Sequence, residues 1–254
     1  MVERPPVLGA AAFAAFERCG RLFDYLYIDR LLPAVEDERI AGQRRYRRYT
    51  ELMAKGRIKE RQRACLEAEV ARGWEQFLQS PEAKFAGRLY LEYPLHVQMG
   101  EWRVGVQLHR LAVGTRFAIV QWDTGLERPP DAELKAAWPV RLPLLLVCLV
   151  GSQLNDNRPI APEQVQLTLW FTRYPEQPFH LRYSQTQLIA DRQRLERALP
   201  QLRTSRMSDD PAICAECFFR IRCHGLHPER LGPGLSGWWE DGDARSGEEP
   251  GTAD

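Results

Sequence analysis

Three cysteines fall within ten residues near the C-terminal end of the chain, as Cys214-Ala-Glu-Cys217 and then Cys223. Two thiols three positions apart can grip one metal ion or one corner of a cluster. A third so close is hard to place in an ordinary core, and Phe218, Phe219 and Ile221 supply apolar cover beside it. A metal is therefore expected, and a metal needs a fourth ligand. Cys19 lies far away in sequence, while His224 and His227 lie beside the knuckle. An all-thiolate set suits an iron–sulfur cluster and a histidine suits zinc, and spacing leaves both open. The plainer alternative is a redox-active CxxC without metal. Cys65 and Cys148 sit in apolar helical contexts and read as buried structural cysteines.

Nothing in the bulk of the chain demands such a staple, because 254 residues can bury a sizeable core unaided. The net charge of +1 hides an asymmetry. Residues 231–254 carry −5, which leaves +6 on residues 1–230, nearly all as arginine. Arginine suits phosphate, but +6 over that length is a weak nucleic-acid signal. The apolar start Leu8–Phe16 lacks the basic lead-in of a secretory signal and runs into Glu17 and Arg18. The longest apolar run, Leu142–Val150, falls short of the ~20 residues a membrane span needs. A cytoplasmic protein with reduced cysteines and no membrane partner is expected.

Periodicity divides the chain. Residues 8–32 read as a helix, with Phe13, Phe16, Leu22, Phe23, Leu26 and Tyr27 at helical spacing. An arginine-dense stretch follows from Glu36 to Arg63, with Arg44, Arg45, Arg47 and Arg48 close together, and it leads into a helix through Cys65, Trp74 and Phe77. Then the period drops to two. Arg88–Val97, Glu101–Val113 and Thr115–Asp123 form an antiparallel meander with Gly100 and Gly114 at its turns. Asp131–Leu154 reads as a helix disturbed by Pro139 and Pro143, Gln164–Tyr174 and Phe179–Tyr183 as strands. Ser184 or Thr186 then caps a helix ending near Leu202. The expected fold class is α/β, a mixed central sheet flanked by helices. One domain over 1–230 precedes an acidic, Gly-rich disordered tail, 231–254, that contains Trp238-Trp239.

The layout resembles the iron–sulfur branch of the PD-(D/E)XK nuclease superfamily, which includes CRISPR-adaptation nucleases and the nuclease domains of recombination helicase–nucleases. That branch carries one cysteine in an N-terminal context like C-P-R-x-F-x-Y-x-Y and three more as C-x2-C-x5-C. Cys19-Gly20-Arg21-Leu22-Phe23-Asp24-Tyr25-Leu26-Tyr27 matches the first, with Gly20 for the usual proline, and Cys214, Cys217 and Cys223 match the second. The resemblance implies a restriction-endonuclease-like core whose termini are joined by a [4Fe-4S] cluster on Cys19, Cys214, Cys217 and Cys223. It covers most of residues 8–224.

The resemblance also places an active site on the meander, as G-x-x-D on one strand and D-x-K-T-G on the next. Here the first is Gly105-Val106-Gln107-Leu108 and the second Gln121-Trp122-Asp123-Thr124-Gly125. The family's later Q-x3-Y element corresponds to Arg141–Leu145, with neither residue kept. Nuclease chemistry of this kind uses two carboxylates to hold magnesium or manganese, which lowers the pKa of a bound water, and a lysine to balance developing charge. Leu108 cannot bind a dication, Gln121 is neutral and a poor ligand for one, and Asp123 inverts the charge of the lysine. Losing a single such donor costs ~10²–10³ in rate. Glu92, Asp123 and His109 are the available replacements. The plainer readings are a turn role for Asp123 and a solvated strand face for Glu92 and His109, and His96 and His180 read as ordinary surface or half-buried residues.

Three functions follow. The first is a catalytically degenerate nuclease-fold protein that binds DNA or scaffolds a helicase or other repair or recombination subunit, with Arg44, Arg45, Arg47 and Arg48 against phosphates. The second is an active metal-dependent DNA nuclease with a migrated site. The third is a zinc-bound interaction module.

Overall fold

The computed structural model describes residues 7–31, 68–125, 127–204 and 206–225. They form one mixed sheet with helices on both faces, the α/β class expected. The strands are β1 (Val7–Leu8), β2 (Arg88–Met99), β3 (Trp102–Val113), β4 (Phe117–Asp123), β5 (Val165–Phe171) and β6 (Phe179–Arg182). Strand β2 pairs antiparallel with β3 along its length, β3 antiparallel with β4, β4 parallel with β5, and β5 antiparallel with β6. Strand β1 adds a short parallel pairing, Val7 with Arg103 and Leu8 with Val104. Two residues are too few to show a period of two, which is why β1 escaped the sequence reading.

The helices are α1 (Ala10–Arg18), α2 (Gly20–Phe23), α3 (Ala68–Gln79), α4 (Asp131–Ala136), α5 (Trp138–Val150), α6 (Gln185–Gln201), α7 (Pro211–Ala215) and α8 (Arg220–His224). The single N-terminal helix expected over 8–32 is not continuous. Cys19 adopts extended backbone (φ −167°, ψ 123°) and separates α1 from α2, and α2 runs on into a π-helical turn over Asp24–Ile28. The expected helix over 131–154 is likewise split at Ala137, with Pro139 in the first turn of α5, where a missing N–H costs nothing. Ser184 caps α6 by accepting from the Gln187 N–H at 3.3 Å.

Helix α5 is the hub of the main core. Val140, Leu142 and Leu144 to Val147 are fully buried, between the sheet and helices α1 and α6. A helix enclosed on all sides must be apolar all round, and for that reason Asp131–Leu154 is long and apolar enough to cross a membrane by composition alone. The opposite face of the sheet carries a smaller aromatic core, Trp74 and Phe77 of α3 on Val120, Trp122 and Trp170. Strands β4 and β5, covered on both sides, read as near-continuous apolar runs.

One buried ion pair ties the hub to α6. Arg141 donates to Asp191 at 2.9 Å, and the Tyr183 hydroxyl donates to the same carboxylate at 2.7 Å. Arg141 also lies over the Tyr183 ring. Burial, and then the adjacent Asp191, push the Tyr183 hydroxyl far above its ordinary pKa. Cys148, at the far end of α5, is half-buried, and its thiol is pushed up to about 12 by burial and by Glu163. The sequence reads it as buried; it packs against the main core without being fully enclosed.

Candidate functional site

The two chain ends meet at the cysteines. Cys19, Cys214, Cys217 and Cys223 all line one cavity of about 190 Å³, together with Arg18, Arg21, Tyr25 and Arg220. The break at Cys19 is what turns its thiol there, since this residue closes α1 through its N–H to Ala15 O at 2.9 Å and opens α2. Helices α7 and α8, each one turn long, carry Cys214 and Cys223, and Cys217 lies in the link between them. Asp210 caps α7 by accepting from the Ala212 N–H at 2.9 Å. The two ends also hold one another directly. Arg18 pairs with Glu216 at 3.2 Å, the Tyr25 and Phe219 rings lie 5.1 Å apart, and the Arg222 guanidinium sits over Tyr25.

Gly20 explains how the ends come so close. A Cβ on this residue would lie 3.0 Å from Thr204 O and 2.9 Å from Arg206 O. The segment leading to the cysteine knuckle crosses directly over it. The proline that the resemblance places there has no room in this chain.

The Cys214 thiol is held above its ordinary pKa by desolvation, then by the neighbouring thiols of Cys19, Cys223 and Cys217, and by Asp210. Thiolates that repel one another in this way are relieved by a cation between them. Among the described residues, no three His, Cys, Asp or Glu side chains gather into a group that a single metal ion could bridge. His224 lines the same cavity; His227, Cys65, Arg44, Arg45, Arg47, Arg48 and Trp238-Trp239 lie outside the described residues.

The meander is equally informative where the resemblance sets catalysis. One edge of β3 is taken by β2. The other is shared, with β1 at Arg103–Val104 and β4 at Arg110–Val113, and between these pairings the edge is open. Here both long strands kink. The residues packed on the main core are Tyr93, Leu95, Val97 and Met99 on one side of Glu92 and Tyr90 on the other, so the inward parity flips. On β3 the flip falls between Leu108 and Leu111. Glu92 sits at the hinge with φ +51°, a left-handed conformation that no turn residue announces in the sequence.

The side chains of Gln121 and His109 close the open edge. The Gln121 amide donates from Nε2 to Gln107 O at 3.0 Å, and its Oε1 accepts from the His109 N–H at 3.1 Å. His109 Nδ1 in turn accepts from the Trp122 N–H at 2.9 Å. Side chains thus stand in for the ladder bonds that β3 and β4 lack beyond Arg110 and Val120. Leu108 is fully buried in the core. Asp123 Oδ1 accepts from the Gly125 N–H at 2.7 Å, and the Asp123 carbonyl accepts from both the N–H and the hydroxyl of Thr172 at 2.9 Å. Burial raises the Asp123 carboxyl above the usual carboxylate range despite the opposing Gly125 bond. Gln107 Nε2 donates to Glu92 O and lies 3.4 Å from Glu92 Oε2. Gly105 has its own local reason: a Cβ there would meet Val7 of β1 at 2.6 Å. His180, expected to be unremarkable, lies 3.2 Å from Thr168 Oγ1 and 3.7 Å from the buried Glu82.

No protein-family model and no curated protein matches the chain. Among solved structures, the chain is similar to a candidate exonuclease from Eubacterium rectale, with a TM-score of 0.52 and 10% identity over 97% of this chain and 91% of that one. At that identity the likeness is one of fold, a mixed sheet flanked by helices.

Proposed function

We propose that this chain is a catalytically degenerate PD-(D/E)XK nuclease-family protein, one domain over residues 1–230, that binds DNA or scaffolds a helicase or other repair or recombination subunit in a reducing compartment such as the cytoplasm. The observation that carries this reading is the Gln121 amide. At the position of a metal-binding carboxylate it bridges His109 N and Gln107 O. A side chain used in both senses to hold two strands together is a structural residue. The neighbouring positions agree, with Leu108 in the core and Asp123 turned into its own loop. Glu92 Oε2 lies against Gln107, and Asp123 Oδ1 accepts from its own loop at Gly125.

A [4Fe-4S] cluster on Cys19, Cys214, Cys217 and Cys223 belongs to this reading. All four thiols line one cavity, with Arg21 and Arg220 on its wall to balance an anionic thiolate–iron group, while Arg18 on the same wall is turned to Glu216. An all-thiolate lining from both parts of the chain is the ligand set that suits an iron–sulfur cluster. When bound, such a cluster would cross-link the N-terminal helices to the cysteine knuckle.

The test is to purify the full chain anaerobically, measure iron, sulfide and zinc, and incubate it with labelled single- and double-stranded DNA in magnesium or manganese. The expected outcome is iron and sulfide in equal amounts, salt-dependent DNA binding weakened by alanine at Arg44, Arg45, Arg47 and Arg48, and no cleavage. Cleavage that disappears in Asp123→Ala would show an active rearranged site instead, and zinc without iron would show an interaction module.

A further inference from the structure

One cation reaches a cysteine sulfur from the opposite end of the chain. Arg21 Nη1 lies 3.8 Å from Cys223 Sγ, 3.2 Å from Cys223 O and 3.6 Å from Met207 Sδ. Arg21 stands two residues after Cys19, on the short helix that Cys19 opens. Its neighbour Arg18, also on the cavity wall, is turned to a carboxylate, Glu216, at 3.2 Å. The two arginines therefore differ in kind. Arg18 joins the ends by an exposed ion pair, whereas Arg21 donates to the thiol itself and to the backbone that carries it.

We infer that Arg21 is a positioning residue for the cluster: it fixes the Cys223 corner through its carbonyl and stabilises negative charge on the Cys223 sulfur through an N–H donor. This inference rests on the cluster reading above. Outer partners of metal ligands orient them, and their removal typically costs 10–100-fold in affinity. Donors to cluster sulfurs stabilise the more negative, reduced state and so raise the potential. Arginine suits both tasks, because Nη1 alone carries two N–H donors held in the rigid guanidinium plane, facing the carbonyl and the sulfur, while its charge is permanent. A lysine keeps the charge but not the planar, fixed geometry.

The experiment compares the native chain, Arg21→Ala, Arg21→Lys and the control Arg18→Ala, all prepared anaerobically with iron and sulfide. Two quantities are read, the rate of iron loss to a chelator and the one-electron midpoint potential at an electrode, with circular dichroism as the check on folding. Expected for Arg21→Ala is loss on the order of ten-fold faster and a lower potential at unchanged secondary structure. Arg21→Lys should recover the potential in part and the retention less, and Arg18→Ala should stay close to native in both. Native rates and potential in Arg21→Ala would overturn the role of Arg21 and leave the cluster standing. A variant that cannot be loaded is judged on Arg21→Lys, where behaviour equal to native in both readouts likewise overturns it. A native chain that takes up no iron and sulfide would overturn the cluster reading and this inference together.

Discussion

Gln121 and Glu differ by one group, and that group decides what the strand can do. The amide offers a donor to Gln107 O and an acceptor to the His109 N–H. Gln121→Glu keeps the acceptor and turns an anion toward a carbonyl in a site where Gln121 is only 8% exposed. The expected cost is about 1–3 kcal/mol by urea titration, with no magnesium-dependent cleavage of DNA gained. Asp123 tests the same strand through pH. Its folded-state pKa lies above the ordinary value, so the native state holds the proton more tightly than the unfolded chain. Its contribution to stability is therefore full below the ordinary carboxylate pKa of about 4 and falls as pH rises toward the raised value. Asp123→Asn keeps an oxygen for the Gly125 N–H and removes the charge. Its stability should vary less than that of the native chain as pH rises from about 4, measured by denaturant midpoints across the acid range. Asp191 is the opposite case, a charge with its partners in place. Asp191→Ala strands Arg141 in the core and should cost about 3–5 kcal/mol, visible as a lower denaturation midpoint.

Among the elements, α2 is approached closely by the backbone at Thr204 and Arg206. A methyl group on Gly20 would lie about 3 Å from their carbonyl oxygens, so Gly20→Ala must push the two segments apart. Overpacking of this sort costs about 1–3 kcal/mol, and amide exchange should quicken over α7 and α8 first. Sequence reading located most elements well and this close approach not at all. The strands β2 to β6 lie close to their expected bounds because alternation and turn glycines are local signals. Helix α6 begins at Ser184, one of the two caps expected for it. Helix breaks proved harder, because extended backbone at Cys19 leaves no mark in residue type. The kink at Glu92 was illegible for the same reason: a left-handed glutamate is held there by the paired strands, not by its own preference. The resemblance brought Cys19 and the distant cysteines together, while Gln121 could be read as a lost carboxylate but not as a strand clamp, since its two partners lie more than ten residues away.

For the molecule as a whole, the cysteine cavity closes a circle. About 195 residues separate Cys19 from Cys214, and both line the same wall. Cross-linking a loop of that length removes chain entropy worth about 5 kcal/mol in the simplest treatment. A cluster would therefore act on the entire sheet, not on the termini alone. Cys19→Ser should lower the thermal midpoint of the iron-loaded chain toward that of the chelator-treated native protein, and chelator should then change the variant little. Direct contacts already bring the ends together, through Arg18 with Glu216 and Tyr25 with Phe219. Without a cluster they are a weak clasp on a well-packed body, so the midpoint difference measures the clasp separately from the core.

The meeting of Cys19 with Cys223 also sets a timetable. During synthesis the first cysteine emerges about two hundred residues before the last. At ribosomal speeds of roughly 5–20 residues per second, Cys19 waits tens of seconds for its partners. Strand β1 cannot pair until β3 has been made, and α2 cannot be crossed until Thr204 has emerged. A cluster held at this seam could assemble only after Cys223 has emerged, so its delivery would follow the folding of the sheet between the cysteines.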